Sequence, residues 1–252
     1  MRGINECFGY SRWEWVEILS GILRIPKARA LIGDFDVKRL REVFDVLQDY
    51  PKGYPYQYIL RRANFYGFEF YVDERVLIPR SDTEGIIDIA KELAPKNGWV
   101  LDLCTGSGII GITLKILRPD LRVFLTDKSL DALKVAKLNA KRFGVDAHIL
   151  ACDLLSCFKG RFDIIVSNPP YIPENLLGKY DKKVLFEPKI ALIGGKTGFE
   201  ITKRILEGAK SVLKKGGYLV IETDPQHFDR FPKGTRFYDR FAVISWETLL
   251  AI

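Results

Sequence analysis

Histidine is nearly absent from the 252-residue chain, which holds only His148 and His227. A histidine-rich metal centre is therefore not expected. Cysteine is also sparse. Cys7, Cys104, Cys152 and Cys157 show no C-x-x-C spacing, which argues against a zinc site or a disulfide framework and for reduced thiols. No apolar run reaches the roughly 18 residues that mark a membrane-spanning helix. The opening MRGINECFGY lacks the apolar core of a signal peptide. A cytoplasmic location with no membrane partner is the expectation. Internal repeats and low-complexity tracts are missing as well.

The residues that are present describe an ordinary soluble protein, with 47% hydrophobic and 28% charged side chains. The length allows one large domain plus a small one. The net charge of +7 leans only weakly toward an anionic partner, because most such excess is solvated surface.

Residues 1–62 read as a small helical domain. Trp13, Val16, Ile18, Leu19, Ile22 and Leu23 fit one helical face, and Asp36 can cap a second helix carrying Val37, Leu40, Val43, Phe44 and Leu47. The segment is either a packing cap or a substrate-docking module. Residues 63–80 are rich in aromatic and β-branched side chains with Gly67 and Asp73-Glu74 as turns, which predicts a linking β-hairpin. From Ser81 to residue 252 helix and strand alternate. Ser81-Asp82-Thr83-Glu84 has the capping-box pattern, and Gly216-Gly217 reads as the stop of a helix over 199–213. Such alternation predicts an α/β domain with a doubly wound, mostly parallel sheet.

After the first strand of that domain comes Asp102-Leu-Cys104-Thr105-Gly106-Ser107-Gly108-Ile-Ile-Gly111, literally G-x-G-x-x-G. That pattern between strand and helix can mark a dinucleotide site. Asp127 closes the next strand, where a carboxylate suits a ribose diol. An acid at Asp102, just before the glycines, would oppose a pyrophosphate. It suits a cationic cofactor such as S-adenosyl-L-methionine better. Asp153 and Leu154 follow the third strand, and Asp153 can either accept from an adenine amino group or cap a turn.

Residues 162–171 read FDIIVSNPPY. The apolar run predicts a strand buried on both faces. Asn168, Pro169, Pro170 and Tyr171 then form a stiff ledge at its carboxyl end, because the prolines fix φ and donate no hydrogen bond. The Asn168 side-chain oxygen and the Pro169 carbonyl can each accept an N–H of a planar NH₂ group, and Tyr171 can pack on it. The plainer reading is a strand terminator.

DLCTGSG, TDKSLDALKVAKLNA and FDIIVSNPPYIPE resemble the class I methyltransferases that modify amino or amide nitrogens. PYQYIL (55–60), FYGFEFYVDERVLIPRSDTE (65–84) and EPKIALIGGKTGFEITKRIL (187–206) narrow this resemblance to the peptide-chain release factor glutamine N5-methyltransferases, from about Pro55 to Gln226. NPPY alone is shared with adenine DNA and guanine ribosomal RNA methyltransferases. The resemblance implies a seven-stranded Rossmann-like sheet with its last strands reversed and an N-terminal helical domain. It implies Cys104–Gly108 and Asp127 as cofactor contacts, with S-adenosyl-L-homocysteine as product. It implies Asn168–Tyr171 as the pocket for a glutamine amide, and a release factor as partner. A monomer with no stable nucleic-acid partner is expected. Departures from the family pattern include Cys104 and Arg61 in place of usual glycines. The competing readings are a nucleic-acid amino methyltransferase, an NAD-dependent oxidoreductase and a non-catalytic binding protein.

Overall fold

The computed structural model describes residues 4–160 and 162–251; the outer ends of the expected domains, residues 1–3 and 252, and residue 161 within the second lie outside the described residues. The N-terminal helices are α1 (Ile4–Cys7), α2 (Arg12–Leu23), α3 (Lys27–Ile32), α4 (Leu40–Leu47) and α5 (Tyr56–Leu60). Ser11 and Glu14 close a reciprocal capping box on α2, and Asp36 caps the turn leading into α4. Trp15, Val16, Ile18, Leu19, Leu40, Val43 and Leu47 form a core of their own here. Trp13 is not part of it: at 65% exposed it faces out, and Trp15 takes the buried place.

The hairpin is shorter than expected. Strands β1 (Ala63–Phe65) and β2 (Phe68–Phe70) pair antiparallel. Beyond them the chain leaves the ladder because Tyr71 is held instead by the buried Asn139, whose Oδ1 accepts from Tyr71 N and whose Nδ2 donates to Tyr71 O. The Ser81 capping box does not form. A single 3₁₀ turn over Ser81–Glu84 leads into α6 (Gly85–Leu93) with no side-chain cap. Its polar groups are engaged elsewhere: Glu84 accepts from Tyr66 N, and Thr83 accepts from Asn168.

The main domain then alternates through β3 (Trp99–Leu103), α7 (Ile109–Leu117), β4 (Arg122–Asp127), α8 (Leu130–Phe143, capped by Ser129), β5 (His148–Ala151) and β6 (Phe162–Ser167). A two-stranded annex of β7 (Ile172–Pro173) and β8 (Ile193–Gly195) precedes α9 (Glu200–Val212) and β9 (Leu213–Glu222). The chain ends with β10 (Arg236–Tyr238), β11 (Phe241–Ser245) and α10 (Trp246–Leu249). The seven-stranded sheet has the order β10-β11-β9-β6-β3-β4-β5. Neighbours from β9 to β5 run parallel. Only β11 opposes β9, and β10 opposes β11, so one of the two last strands is reversed and not both. The Gly216-Gly217 pair lies inside β9 and does not cap α9, which ends at Val212 and turns directly into the strand.

Two apolar cores sandwich the sheet. Val100, Ile164, Val166 and Val220 face α6 and α7; Leu101, Leu103, Ile165 and Ile221 face α9 and α10. Among the described residues no helix is long and apolar enough to cross a membrane.

Gly111 sits in the first turn of α7, against β4. A Cβ there would stand 2.2 Å from Leu125 Cδ2 and 3.0 Å from Asp102 Oδ2. Gly111→Ala is therefore expected to lower unfolding free energy by about 1–3 kcal/mol through overpacking. Denaturant titration checks this, and an unchanged midpoint and slope would contradict the close approach.

Candidate active site

Strand order reverses at β3. The chain moves from β3 outward to β4 and β5, then returns on the other side to β6. Open α/β sheets bind ligands in the crevice beyond the strand ends at such a point. Leu103 at the end of β3 lies in register with Ser167 at the end of β6, and Ser167 Oγ donates to Leu103 O at 2.7 Å. The register places the glycine loop and the Asn168 ledge side by side.

The loop is built by backbone conformation. Cys104 has φ +59, Gly106 +55 and Gly108 +85. Left-handed backbone costs a non-glycine residue about 1–2 kcal/mol, which gives the physical reason for the family glycine that Cys104 replaces. Arg61, the other departure, ends α5 with φ +54. Burial pushes the Cys104 thiol pKa well up, so the side chain serves as a small neutral wall.

Asp102 lies behind the loop, fully buried. Its Oδ2 accepts from Thr105 Oγ1 at 2.5 Å and Gly111 N at 2.9 Å, joining the loop to α7. Burial pushes its pKa up to about 7, against those two hydrogen bonds. Thr105 and Ser107 are also buried, and Ser107 O accepts from Asn139 Nδ2 at 2.8 Å. These residues shape the loop; Cys104 and Gly106 supply its exposed wall.

Asp127 is held in place by two backbone donors. Oδ2 accepts from Gly106 N and Oδ1 from Ser129 N, each at 2.9 Å. Burial raises its pKa, opposed by these backbone donors. Each oxygen keeps a further lone pair for a hydroxyl. The Gly106 N–H is thus committed to a carboxylate and is not free for a phosphate, which disfavours the NAD reading of the glycine motif.

Asp153 and Leu154 line the same cavity. Asp153 is paired with Arg204 at 2.9 Å, so its carboxylate does not cap the local turn. The turn is closed by a bond the cysteine spacing did not suggest: Cys152 and Cys157 are joined as a disulfide, with Cα atoms 6.0 Å apart. The expectation of reduced thiols is corrected for this pair, because the turn after β5 folds the two residues face to face. Cys7 and Cys104 are free.

Two cavities meet at the ledge. The larger, about 400 Å³, is walled by Cys104, Gly106, Asp127, Asp153, Leu154, Leu77 and Ile201, with Arg75, Lys128 and Lys189 around it. The smaller, about 140 Å³, is walled by Arg80, Pro169, Tyr171, Ile172, Tyr180 and Val184. Leu77, Asn168, Pro170 and Ala191 belong to both. Asn168 Nδ2 donates to Thr83 Oγ1 at 3.1 Å, which leaves Oδ1 without a hydrogen-bond partner among the described residues. Tyr171 OH donates to Glu222 Oε1 at 3.3 Å.

Sequence reasoning passed over the residues that brace this site. Glu187, 4% exposed, accepts from Ile78 N at 2.9 Å and pairs with Arg80. It thereby fixes the Leu77–Arg80 segment against the ledge. The EP and LIPR segments signalled the region but not this contact between them. Among the described residues no group of three or more His, Cys, Asp or Glu side chains is placed to hold a metal.

The cavity residues fit S-adenosyl-L-methionine. Asp127 offers a pre-held acceptor pair for a ribose, the loop presents no free anion-binding amide at Gly106, and Leu154 and Ile201 give an apolar wall.

A family model described as the methyltransferase small domain matches residues 86–180. A release factor glutamine methyltransferase of Chlorobaculum tepidum is 43% identical over 68% of this chain and 63% of its own length. The match thus spans less than two thirds of that relative. One of Borreliella burgdorferi is 36% identical over 88% of this chain and 82% of its own. Among solved structures, a Pyrococcus furiosus methyltransferase aligns with a TM-score of 0.53 at 17% identity, covering 71% of this chain and 89% of that one. A Thermus thermophilus 16S rRNA methyltransferase in complex with AdoMet and guanosine aligns at 0.50 and 16%, covering 72% and 48%. At such identities these two bear on the fold alone, which is that of the methyltransferases. With its glycine loop, its ledge and the extent of the Borreliella match, the chain belongs to the release factor glutamine methyltransferase family.

Proposed function

We propose that this chain transfers a methyl group from S-adenosyl-L-methionine to the side-chain amide nitrogen, N5, of the glutamine in the Gly-Gly-Gln motif of peptide-chain release factors. The observation that carries this reading is the junction of the two cavities at Asn168, whose Nδ2 is engaged by Thr83 while its Oδ1 has no hydrogen-bond partner among the described residues. Asp127, Leu154, Cys104 and Gly106 would hold the cofactor. When bound, it supplies an electrophilic methyl on a sulfonium.

The chain's own residues address the weakness of the nucleophile. An amide nitrogen is unreactive because its lone pair is conjugated with the carbonyl. Asn168 Oδ1 and the Pro169 carbonyl accept its two N–H groups and favour a pyramidal nitrogen with its lone pair aimed away from the ledge. Tyr171 and the prolines fix the plane of the amide and exclude water. Positioning is the main lever, and the same acceptors stabilise the positive charge that develops on nitrogen. No strong base is required before the proton leaves to solvent.

The corresponding proposals for the surroundings are a cytoplasmic monomer that meets a protein substrate and keeps no stable nucleic-acid partner. The direct assay is transfer of labelled methyl from S-adenosyl-L-methionine to a purified release factor. Labelling of RNA or DNA in its place would favour the amino-group reading.

The N-terminal helices are proposed to dock the release factor. They touch the segment that follows the ledge, through the Glu14–Lys183 ion pair and the edge-on contact of Tyr54 with Phe186. Deletion of residues 1–50 is expected to spare cofactor binding, raise KM for the release factor, and lower kcat in part. Unchanged kinetics would reject docking, and loss of the circular dichroism spectrum would mark the helices as a packing cap.

A further inference from the structure

The turn that follows β5 carries part of the cofactor cavity wall and is closed by a covalent bond. Asp153 and Leu154 line that cavity, as does Cys152. The Cys152–Cys157 disulfide spans them, with Cα atoms 6.0 Å apart. Leu154 has φ +53, a left-handed backbone that a branched residue avoids unless its surroundings hold it there. The other ties across the turn are weaker. Ser156 N donates to Asp153 O at 3.3 Å. Arg204 and Asp153 pair at 2.9 Å with side chains 49% and 43% exposed, and an exposed pair contributes little. On either side the chain is anchored: Cys152 N donates to Asp127 O at 3.0 Å, and Leu155 and Phe158 pack into the core. Opening the disulfide therefore frees the cavity-facing residues and little else.

The two sulfurs are unequally placed. Cys152 is buried, while Cys157 is exposed. A dithiol in solution thus has access to Cys157 Sγ first. We propose that the Cys152–Cys157 pair is a redox modification site, at which a dithiol opens the turn and weakens binding of the cofactor. A thiolate of the dithiol attacks Cys157 Sγ, the S–S bond breaks, and Cys152 leaves as a thiolate. The second thiol then attacks the mixed disulfide and releases Cys157. The dithiol ends as a disulfide, having given two electrons to the pair, and its two protons end on the Cys152 and Cys157 thiols. The cytosol holds reducing thiols, so in the location proposed above the pair meets such a reagent. The inference rests on the proposed S-adenosyl-L-methionine site, because the turn bears on affinity only if the cofactor lies against it.

S-adenosylhomocysteine binding, measured by calorimetry before and after treatment with excess dithiothreitol, tests this. Kd is expected to rise about fivefold to tenfold on reduction, the scale of re-ordering one residue of backbone, and to return on reoxidation. Alkylation of the denatured protein, read by mass spectrometry, sets the redox state: labels on Cys7 and Cys104 alone before reduction, and on all the cysteines after it. Cys157→Ser cannot form the bond and leaves the cavity wall intact, since Cys157 does not line it. It should show the weaker affinity with and without dithiothreitol. Equal affinity of the oxidised and reduced parent would overturn the proposal. So would full labelling of parent protein kept without reductant, or a dithiothreitol response that persists in Cys157→Ser.

A readout free of the cofactor is hydrogen exchange of the backbone amides over 152–158. Faster exchange there on reduction is expected, with the central strands unchanged; unchanged exchange over the turn would overturn its opening. Should exchange respond as expected while neither form binds S-adenosylhomocysteine, the cofactor reading fails and the redox opening of the turn stands.

Discussion

Asn168→Ala is expected to lower kcat by about 10²–10³, the loss seen when one preorganised polar group is removed from a site of developing charge. The residue is half-buried, bonded through Nδ2 to Thr83, and lines both cavities. Its contact with the substrate amide should tighten as nitrogen becomes pyramidal and cationic, so the loss falls on the barrier more than on binding. Cofactor affinity should change much less. Asn168→Asp is the sharper probe, because it keeps an acceptor oxygen while adding charge; partial activity supports the acceptor role. Wild-type kcat in a folded Asn168→Ala variant would reduce the ledge to a strand terminator.

Asp127→Ala is expected to weaken S-adenosyl-L-methionine binding by roughly 1.5–3 kcal/mol, the scale of hydrogen bonds to a charged group. The carboxylate is already oriented by Gly106 N and Ser129 N, so little ordering cost attends its contact with a diol. Calorimetry checks the value. Unchanged affinity in a folded variant would remove Asp127 from the site, and tight NAD binding by the parent would overturn the choice of cofactor.

The central sheet was legible because its signals are local. The alternation of helix and strand expected from Ser81 onward is observed, as in α7 (Ile109–Leu117) and β5 (His148–Ala151), because apolar runs and glycine turns mark such elements. Asn168, Asp127 and the glycine loop were found for the same reason: each sits at the exit of a readable strand. The misses depend on partners far along the chain. Ser81–Glu84 carries the letters of a capping box, but its Glu84 is claimed by Tyr66 N, 18 positions away. Glu187 meets Ile78 across 109 positions, and no spacing rule reaches that far. Gly216-Gly217 was read as a helix stop because glycine pairs end helices, whereas here they bend the start of a strand already paired with β6. Cys152 and Cys157 lie outside the familiar cysteine spacings, and only the turn between them brings them together.

The most direct measurement is peptide mass spectrometry of a purified release factor after incubation with this protein and S-adenosyl-L-methionine. The Gly-Gly-Gln peptide is expected to gain the mass of one methylene, with fragmentation placing it on the glutamine side chain. An unmodified Gly-Gly-Gln peptide beside methylated nucleic acid in the same incubation would contradict methyl transfer to the glutamine amide.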